Sequence, residues 1–373
     1  MNFWKILPII VLVLIVGLLI TAGVIFLGIY PTNLRPDLSK IKPLENKVEV
    51  LSADKENGVF NIAKKNPDGS FSKDFKIIGF TDLHFDGLNG RIQDTYKWLC
   101  YNIEKEKPDM VIILGDTALC WGNRGRAKEV AEIMKAYGVY WSLVLGNHEG
   151  ESHFELSRKG FMKLMSSYDN CLAAVSIDGV NGYGNHIVNI MASENEVLQS
   201  IYFMDSGDDT HYKYIKPSQV EWYERTLKET LQKDPDAKSM VFMHIPLYKL
   251  REANEKVDKG ELEFLWGERG ESVKSARSDE TDSFLFQKAK ELGSTQLFGF
   301  GHDHLNYFAV EYEGIILMYN QAAGYSCYDK YSTSKKRDPN VTEDVRIQGC
   351  TVYNIQADGS VKVESRLNRD AKQ

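Results

Sequence analysis

Cysteine is scarce in this chain: five residues, Cys100, Cys120, Cys171, Cys327 and Cys350, with no C-x-x-C among them. An odd count without paired spacing excludes a dense disulfide framework and a cysteine-based zinc finger. A single pair, such as Cys327 with Cys350, remains compatible with the count. Proline (10) and glycine (29) are modest for 373 residues, which excludes collagen-like and proline-rich low-complexity chains. No run of five Lys or Arg occurs, and 45 basic against 52 acidic residues leave a formal charge of −7. That balance argues against a nucleic-acid binder working through a broad basic field, beyond a nucleotide as substrate. A content of 43 % hydrophobic and 26 % charged residues excludes a mostly disordered chain.

Charge is also absent from Ile6 to Tyr30. At about 1.5 Å per residue this run spans roughly 37 Å as a helix, enough for a bilayer core of about 30 Å with some tilt. A secretory signal has a shorter apolar stretch followed by a small-x-small cleavage site. The run here is longer, and no convincing cleavage site follows it. The expectation is an uncleaved, single-pass transmembrane anchor over residues 1–30, with a cleaved signal and a buried core helix as the alternatives. Lys5 precedes the run while Arg35 and Lys40 follow it, so basic residues alone orient it weakly. The large domain that follows favours a cytoplasmic amino terminus and a catalytic domain on the extracytoplasmic side.

Residues 31–74 are punctuated by Pro31, Pro36 and Pro43 and read as a stalk with an N-terminal hairpin, Val48–Leu51 against Gly58–Ala63. Asn66-Pro67-Asp68-Gly69 reads as a turn. From residue 75 strands and helices alternate. Phe75–Thr81, Met110–Leu114, Val139–Leu145 and Lys238–Met243 are short, nearly continuous apolar runs, the pattern of buried strands. Residues 91–106, 127–137, 154–167 and 282–292 carry helical spacing, and 171–192 and 197–204 read as strands with turns. Ser218-Gln219-Val220-Glu221 fits a capping box opening a further helix. Several strands run to the end, with Ala357-Asp358-Gly359-Ser360 as a hairpin turn. The class is α/β, strongly β after residue 170, with residues 75–373 as one domain.

Polar residues gather just past the ends of the buried strands, where open α/β sheets bind ligands. Asp82-Leu83-His84 follows the first strand, Gly115-Asp116 the second, and Gly146-Asn147-His148-Glu149 the third. His244 follows the run at 238–243, and Gly301-His302-Asp303-His304 follows the run at 296–300. Carboxylate oxygens and imidazole nitrogens suit Zn, Mn, Fe, Co or Ni without any cysteine, and Asn can lend its amide oxygen. Two such ions about 3.5–4 Å apart neutralise phosphoryl oxygens. Each piece alone is a common surface turn or core histidine; the set, its order and its placement carry the signal.

That set resembles the calcineurin-like metallophosphoesterase superfamily over roughly residues 75–325. Gln219 and Trp222 look like the Gln-x-x-Trp helix of these enzymes. Phe203-Met204-Asp205-Ser206-Gly207 and His244-Ile245-Pro246-Leu247 look like its purple-acid-phosphatase-like branch. The resemblance implies two packed mixed β-sheets flanked by helices, an αββα sandwich, with the metals at one end. It implies a first ion held by Asp82, His84, Asp116 and His304. A second would be held by Asn147, His244 and His302, with Asp116 bridging the two. A metal-bridging hydroxide would attack phosphorus, and His148 would stabilise the transition state or protonate the leaving oxygen. True purple acid phosphatases have a metal-binding Tyr three residues after the bridging Asp. This chain has Leu119 there, so no tyrosinate-to-iron colour is expected. The Ser/Thr protein phosphatases place an Asp there to orient the histidine, and Leu119 lacks that carboxylate too.

For substrate contact the expected residues are Arg124, in the loop Thr117–Arg126 with Trp121 and Asn123, and His153 and Arg158 beyond Gly-Asn-His-Glu. Asp208, Asp209, His211 and Tyr212 read as a second rim. The charged stretch 251–280 reads as a surface insertion or lid, and Cys120 as a buried structural thiol. The leading expectation is a membrane-anchored, binuclear-metal phosphoesterase. The alternatives are a phosphodiesterase on nucleotide, lipid or envelope substrates, and a non-catalytic envelope binding module retaining the fold.

Overall fold

The computed structural model describes all residues except 1–2, 28–34, 46, 87–90, 120–122, 152–155, 209–213, 274–279, 330, 332–333, 335, 337–344 and 372–373. The chain opens with a long helix, α1 (Phe3–Leu27). Its described side chains are those of residues 6–22, and they are largely exposed, with Leu18 at 70 %. Among the described residues no helix is long and apolar enough to cross a membrane. The transmembrane helix expected over residues 1–30 is not found among the described residues.

The hairpin expected at residues 48–63 forms as β1 (Val48–Asp54) and β2 (Val59–Lys64), paired antiparallel from Val48 opposite Lys64 to Asp54 opposite Val59. It is the edge of a larger sheet, because β2 pairs in parallel with a later strand. Leu38, Ile41 and Leu44 likewise pack against the domain core, so the described part of residues 35–74 lies on the domain.

The alternation from residue 75 then unfolds in order. β3 (Phe75–Phe80), the two-residue β4 (Phe85–Asp86) and α2 (Ile92–Glu106) come first. β5 (Met110–Leu114), the short β6 (Ala118–Leu119), α3 (Asn123–Tyr137), β7 (Tyr140–Val144) and α4 (Arg158–Met165) follow. β8 (His186–Met191) and β9 (Val197–Phe203) lead to α5 (Pro217–Lys233), β10 (Lys238–Phe242) and α6 (Tyr248–Asp258). The last elements are β11 (Phe264–Arg269), α7 (Glu280–Leu292), β12 (Thr295–Phe300), β13 (Asn306–Tyr312), β14 (Ile315–Tyr319), β15 (Gly349–Ile355) and β16 (Val361–Leu367).

Two sheets result. One has the order β1-β2-β8-β9-β10-β12-β14-β13-β11, the other β16-β15-β3-β5-β7. The continuous apolar strands explain why they stack. Successive side chains of a strand point to opposite faces, so a strand apolar throughout must be covered on both. In β3 and β5, Ile78, Val111 and Ile113 face α2, α3 and α4, while Ile77, Ile112 and Leu114 face the other sheet. In the larger sheet Tyr202, Val241 and Phe298 face α5, α6 and α7, while Phe203, Met240 and Leu297 face inward. The four layers are helix, sheet, sheet and helix, with the third core between the sheets.

Several expectations are corrected. α5 starts at Pro217, with Lys216 as its N-cap. The side chain that closes the cap is Gln219, whose Oε1 accepts from the Lys216 backbone N–H at 2.8 Å. Ser218 instead donates to Asn181 Oδ1 at 2.8 Å, so it does not cap the helix. The charged stretch 251–280 is not a loose insertion: α6 runs through its start, and β11 pairs antiparallel with β13 at the sheet edge. The apolar anchors Leu250, Ala253 and Phe264 sufficed to seat it. Between residues 171 and 192 only β8 is a named strand, joined by a bridge between Trp141 and Cys171. Cys100, Cys171, Cys327 and Cys350 are free thiols, so Cys327 and Cys350 do not pair; Cys120 lies outside the described residues.

Phe203 is fully buried between the sheets and stacks on His186 at 4.7 Å. Phe203→Ala is expected to lower unfolding free energy by about 3–5 kcal/mol. Urea denaturation followed by tryptophan fluorescence measures it; a loss below about 1 kcal/mol would contradict this account of the inter-sheet core.

Candidate metal centre

The polar residues of the strand-end loops meet at one end of the sandwich. Asp82, His84 and Asp116 follow β3 and β5; Asn147, His148 and Glu149 follow β7; His244 follows β10; His302 and His304 follow β12. Parallel strands β3, β5 and β7 lie side by side, as do β10 and β12, so their ends reach the same edge. Sharp turns then aim the side chains inward. Asp82 (φ 52°), His84 (φ 45°), Asp116 (φ 49°) and His302 (φ 79°) all hold left-handed backbone. That conformation costs of order 1–3 kcal/mol per non-glycine residue and persists only where the surroundings enforce it. Gly115 (φ 86°) precedes Asp116, and a Cβ there would lie 2.6 Å from His244 Nδ1. A methyl on Gly146 would overlap Asp116 Oδ1.

The structure brings all seven expected donor residues together. His84 Nε2 and His304 Nε2 face each other at 2.9 Å. Asp82 Oδ1 lies 3.4 Å from His304 Nε2 and 3.7 Å from His84 Nε2. On the other side Asn147 Oδ1 lies 2.9 Å from His302 Nδ1 and 3.1 Å from His244 Nε2. Asp116 Oδ2 stands between the two groups, 3.1 Å from His244 Nε2 and 3.6 Å from His84 Nε2. All seven are buried or nearly so. Among the buried polar atoms Asp82 Oδ1 has no hydrogen-bond partner.

These features fit metal ions. Two imidazole nitrogens at 2.9 Å can share one proton, but a cation satisfies both lone pairs. The orphaned Asp82 oxygen points into the same space, and buried unpaired carboxylates are costly. Outer hydrogen bonds fix the ring orientations as metal-binding histidines require. His244 Nδ1 is 2.7 Å from the Leu114 carbonyl, and His304 Nδ1 is 3.2 Å from that of Tyr328, leaving each Nε2 facing the centre.

Electrostatics reinforce the picture. Burial alone would raise the Asp82 pKa, yet His304 and His244 hold it well below the ordinary carboxylate range. Asp116 is likewise held down against its burial, chiefly by His244. Burial opposes the charged form of His244, and Asp116 outweighs it, raising the imidazole to about 9. His304 is raised in the same way by Asp82, whereas burial lowers His84.

His148 sits at the rim with its side chain 28 % exposed, Nε2 3.9 Å from Asp116 Oδ2. Its Nδ1 is 2.8 Å from Glu151 Oε1. Burial opposes its charge, and Asp116 and Glu151 raise its pKa overall. The sequence reading missed Glu151, and equally the work of Glu149. The buried Glu149 carboxylate accepts from the backbone N–H groups of Gly146 (2.6 Å), Thr117 (2.5 Å) and Asp116 (3.1 Å), tying two donor loops together. Neither role leaves a spacing signature, since one partner is backbone and the other lies three residues away on a loop.

The expected substrate residues are dispersed. Arg124 is exposed in the first turn of α3. Arg158 turns inward: it donates to Asp205 Oδ1 at 2.5 Å and to the Gly146 and Glu149 carbonyls. It is therefore a brace between loops and is not free for substrate. His153, Trp121, Asp209, His211 and Tyr212 lie outside the described residues. Cys327 was not singled out as a site residue, yet its sulfur lies within 4.8 Å of donor nitrogens of His84 and His304.

Comparison with known proteins places the chain in a family. Residues 75–305 match the model of the calcineurin-like phosphoesterase family. The chain is 28 % identical over 307 residues to an Arabidopsis thaliana protein named probable inactive purple acid phosphatase 29, covering 70 % of this chain and 75 % of that one. It is 26 % identical over 264 residues to the phosphatase DCR2 of Saccharomyces cerevisiae, covering 62 % of this chain and 44 % of that one. A crystal structure of a dimetal phosphatase from Danio rerio superposes with a TM-score of 0.49 at 12 % identity, over 79 % of this chain and 96 % of that one. The chain belongs to the calcineurin-like phosphoesterase family, hydrolases of phosphoric ester bonds.

Because His244 and His304 are raised above the ordinary histidine value, they hold protons through neutral pH when no metal is bound. A metal must displace those protons. Metal affinity is therefore expected to rise with pH until His244 loses its proton at about 9, with proton release on loading. Calorimetry in buffers of different ionisation enthalpy measures both; pH-independent affinity without proton release would contradict the assignment.

Proposed function

We propose that this protein is a membrane-anchored phosphoesterase whose centre holds two metal ions. The carrying observation is the convergence of seven donor side chains about the buried Asp116. Asp82, His84, Asp116 and His304 would hold one ion, and Asp116, Asn147, His244 and His302 the other. When bound, the ions supply Lewis-acid charge for phosphoryl oxygens and lower the pKa of water, so that a nucleophile forms at neutral pH. Mn, Zn, Fe, Co and Ni all suit the donor set.

The chain's own residues do the rest. His148, at the rim with a raised pKa, carries a proton for the leaving oxygen. Glu151 holds its ring by Nδ1, supplying the carboxylate that position 119 lacks. Asp116 keeps the imidazolium charge compensated from within. Arg124, exposed at the start of α3, is a candidate contact for a phosphate oxygen. Glu149 and Arg158 keep the loops in register and exclude water beneath them.

The anchor rests on the charge-free run from Ile6 to Tyr30 and the exposed apolar residues Ile9 to Ile20 of α1. A single pass would put the domain on the extracytoplasmic side, where lipid, nucleotide or envelope phosphodiesters are candidate substrates. A second reading, a binding module without turnover, is favoured by the word inactive in the Arabidopsis relatives' names. The complete donor set favours the enzyme.

Asp116→Asn and His244→Ala are each expected to lose bound metal and to reduce hydrolysis of p-nitrophenyl phosphate and bis-p-nitrophenyl phosphate by at least about 100-fold. Unchanged metal content and rate would refute the phosphoesterase reading. Stoichiometric metal in the native chain without turnover on a broad ester panel would establish the binding module.

Glu151→Gln has a different signature. With an alkyl phosphate, whose leaving group needs a proton, kcat is expected to fall about tenfold or more, and with p-nitrophenyl phosphate much less. Equal losses on both esters would make Glu151 a structural residue only.

A further inference from the structure

We propose that the Cys327 thiolate is an additional ligand on the ion shared by His84 and His304, and that it biases this position toward softer metals. The inference rests on the reading of the site as a metal centre and adds a sulfur donor that none of the strand-end motifs contains.

The loop after β14 is built against the centre. Tyr328 stacks flat on the His304 ring, centroids 4.3 Å apart and planes 6° from parallel. Its carbonyl takes His304 Nδ1 at 3.2 Å. Tyr325 N–H donates to Thr95 Oγ1 at 3.0 Å, and Asp329 is clasped by Arg346 at 2.8 Å and Arg91 at 3.4 Å. Cys327 is thus held between anchored residues on both sides. One atom each of His84, His304 and Cys327 lies within 4.8 Å of the others. With metal–nitrogen bonds of about 2.0–2.1 Å and metal–sulfur bonds of about 2.3 Å, one ion bridges donors roughly 2.9–4.4 Å apart, so a triad confined within 4.8 Å needs little adjustment to enclose one.

An independent observation fits a cation in that space. Asp82 Oδ1 is buried without a partner and lies 3.4 Å from His304 Nε2. The other described thiols have different surroundings. Cys171 and Cys350 are buried in the helix-facing apolar core, where sulfur packs as a small hydrophobe. Cys327 is half-buried beside two imidazoles. On coordination the thiol proton leaves to solvent as the sulfur–metal bond forms, and no electron changes hands. Thiolate favours Zn, Co and Fe over Mn or Mg at an otherwise nitrogen and oxygen site.

The test is cobalt substitution of the metal-stripped full chain beside Cys327→Ser and Cys327→Ala, with near-ultraviolet absorption and metal content recorded together. Native protein is expected to show a thiolate-to-cobalt charge-transfer band that both variants lack. The variants keep the native circular dichroism spectrum, and their preference for Zn over Mn falls about tenfold. A thiol reagent should label one cysteine fewer in loaded than in stripped native protein, a difference absent from Cys327→Ser. Full cobalt loading with identical native and variant spectra would overturn the thiolate ligand and leave the dimetal reading standing. Failure of the native chain to bind cobalt at all would overturn both.

Discussion

Two carboxylates, Asp82 and Asp116, are sealed from water at one end of the sandwich, and the architecture around them answers that burial. Taking an ionised carboxylate out of water costs several kcal/mol unless opposite charge and hydrogen bonds are brought to it. Around this pair the chain places His84, His244, His302 and His304, an amide oxygen and His148. In the metal-free protein imidazolium protons do part of the compensation, which is why His244 rises to about 9. Cations answer the same need more completely, since they also occupy the nitrogen lone pairs that confront each other between His84 and His304.

The fold serves this one end. Parallel strands bring five loops to a common edge, and three of them, after β3, β5 and β12, spend backbone strain to turn their donors inward. Four donors with positive φ would be untenable on a free loop. Here the surroundings hold them: Glu149 takes three backbone N–H groups from two loops. Arg158 bridges the Gly146 carbonyl to Asp205, and Gln219 fixes the Asp205 carbonyl from α5 at 2.8 Å. The helix that capped itself through Gln219 is therefore also a support of the metal centre. These braces are rigid because three apolar cores lie directly beneath them.

Much of this was legible in the sequence. Doubly buried strands announce themselves as uninterrupted apolar runs, and β3, β5, β7 and β10 lie within a residue or two of their expected bounds. The donors were legible because each follows such a run directly, so a strand end and a ligand are read together. What escaped depended on partners far away in sequence. β11 looked like part of a charged insertion because it is an edge strand, half-buried on alternate residues and exposed on the others. Arg158 looked available for phosphate because its partner, Asp205, lies on another loop. Ser218 fitted a capping pattern, but Pro217 with its fixed φ began the helix two residues sooner, with Lys216 as its N-cap. Cys327 had no motif to mark it, since only the closed fold sets it beside His304, and Glu151, three residues after His148 on a loop, leaves no spacing signature.

Anomalous scattering from crystals of the full chain grown with manganese tests the central claim most directly. The account predicts two peaks about 3.5–4 Å apart, one beside Asp82, His84 and His304, the other beside Asn147, His244 and His302, with Asp116 touching both. A single peak, or peaks away from Asp116, would contradict it.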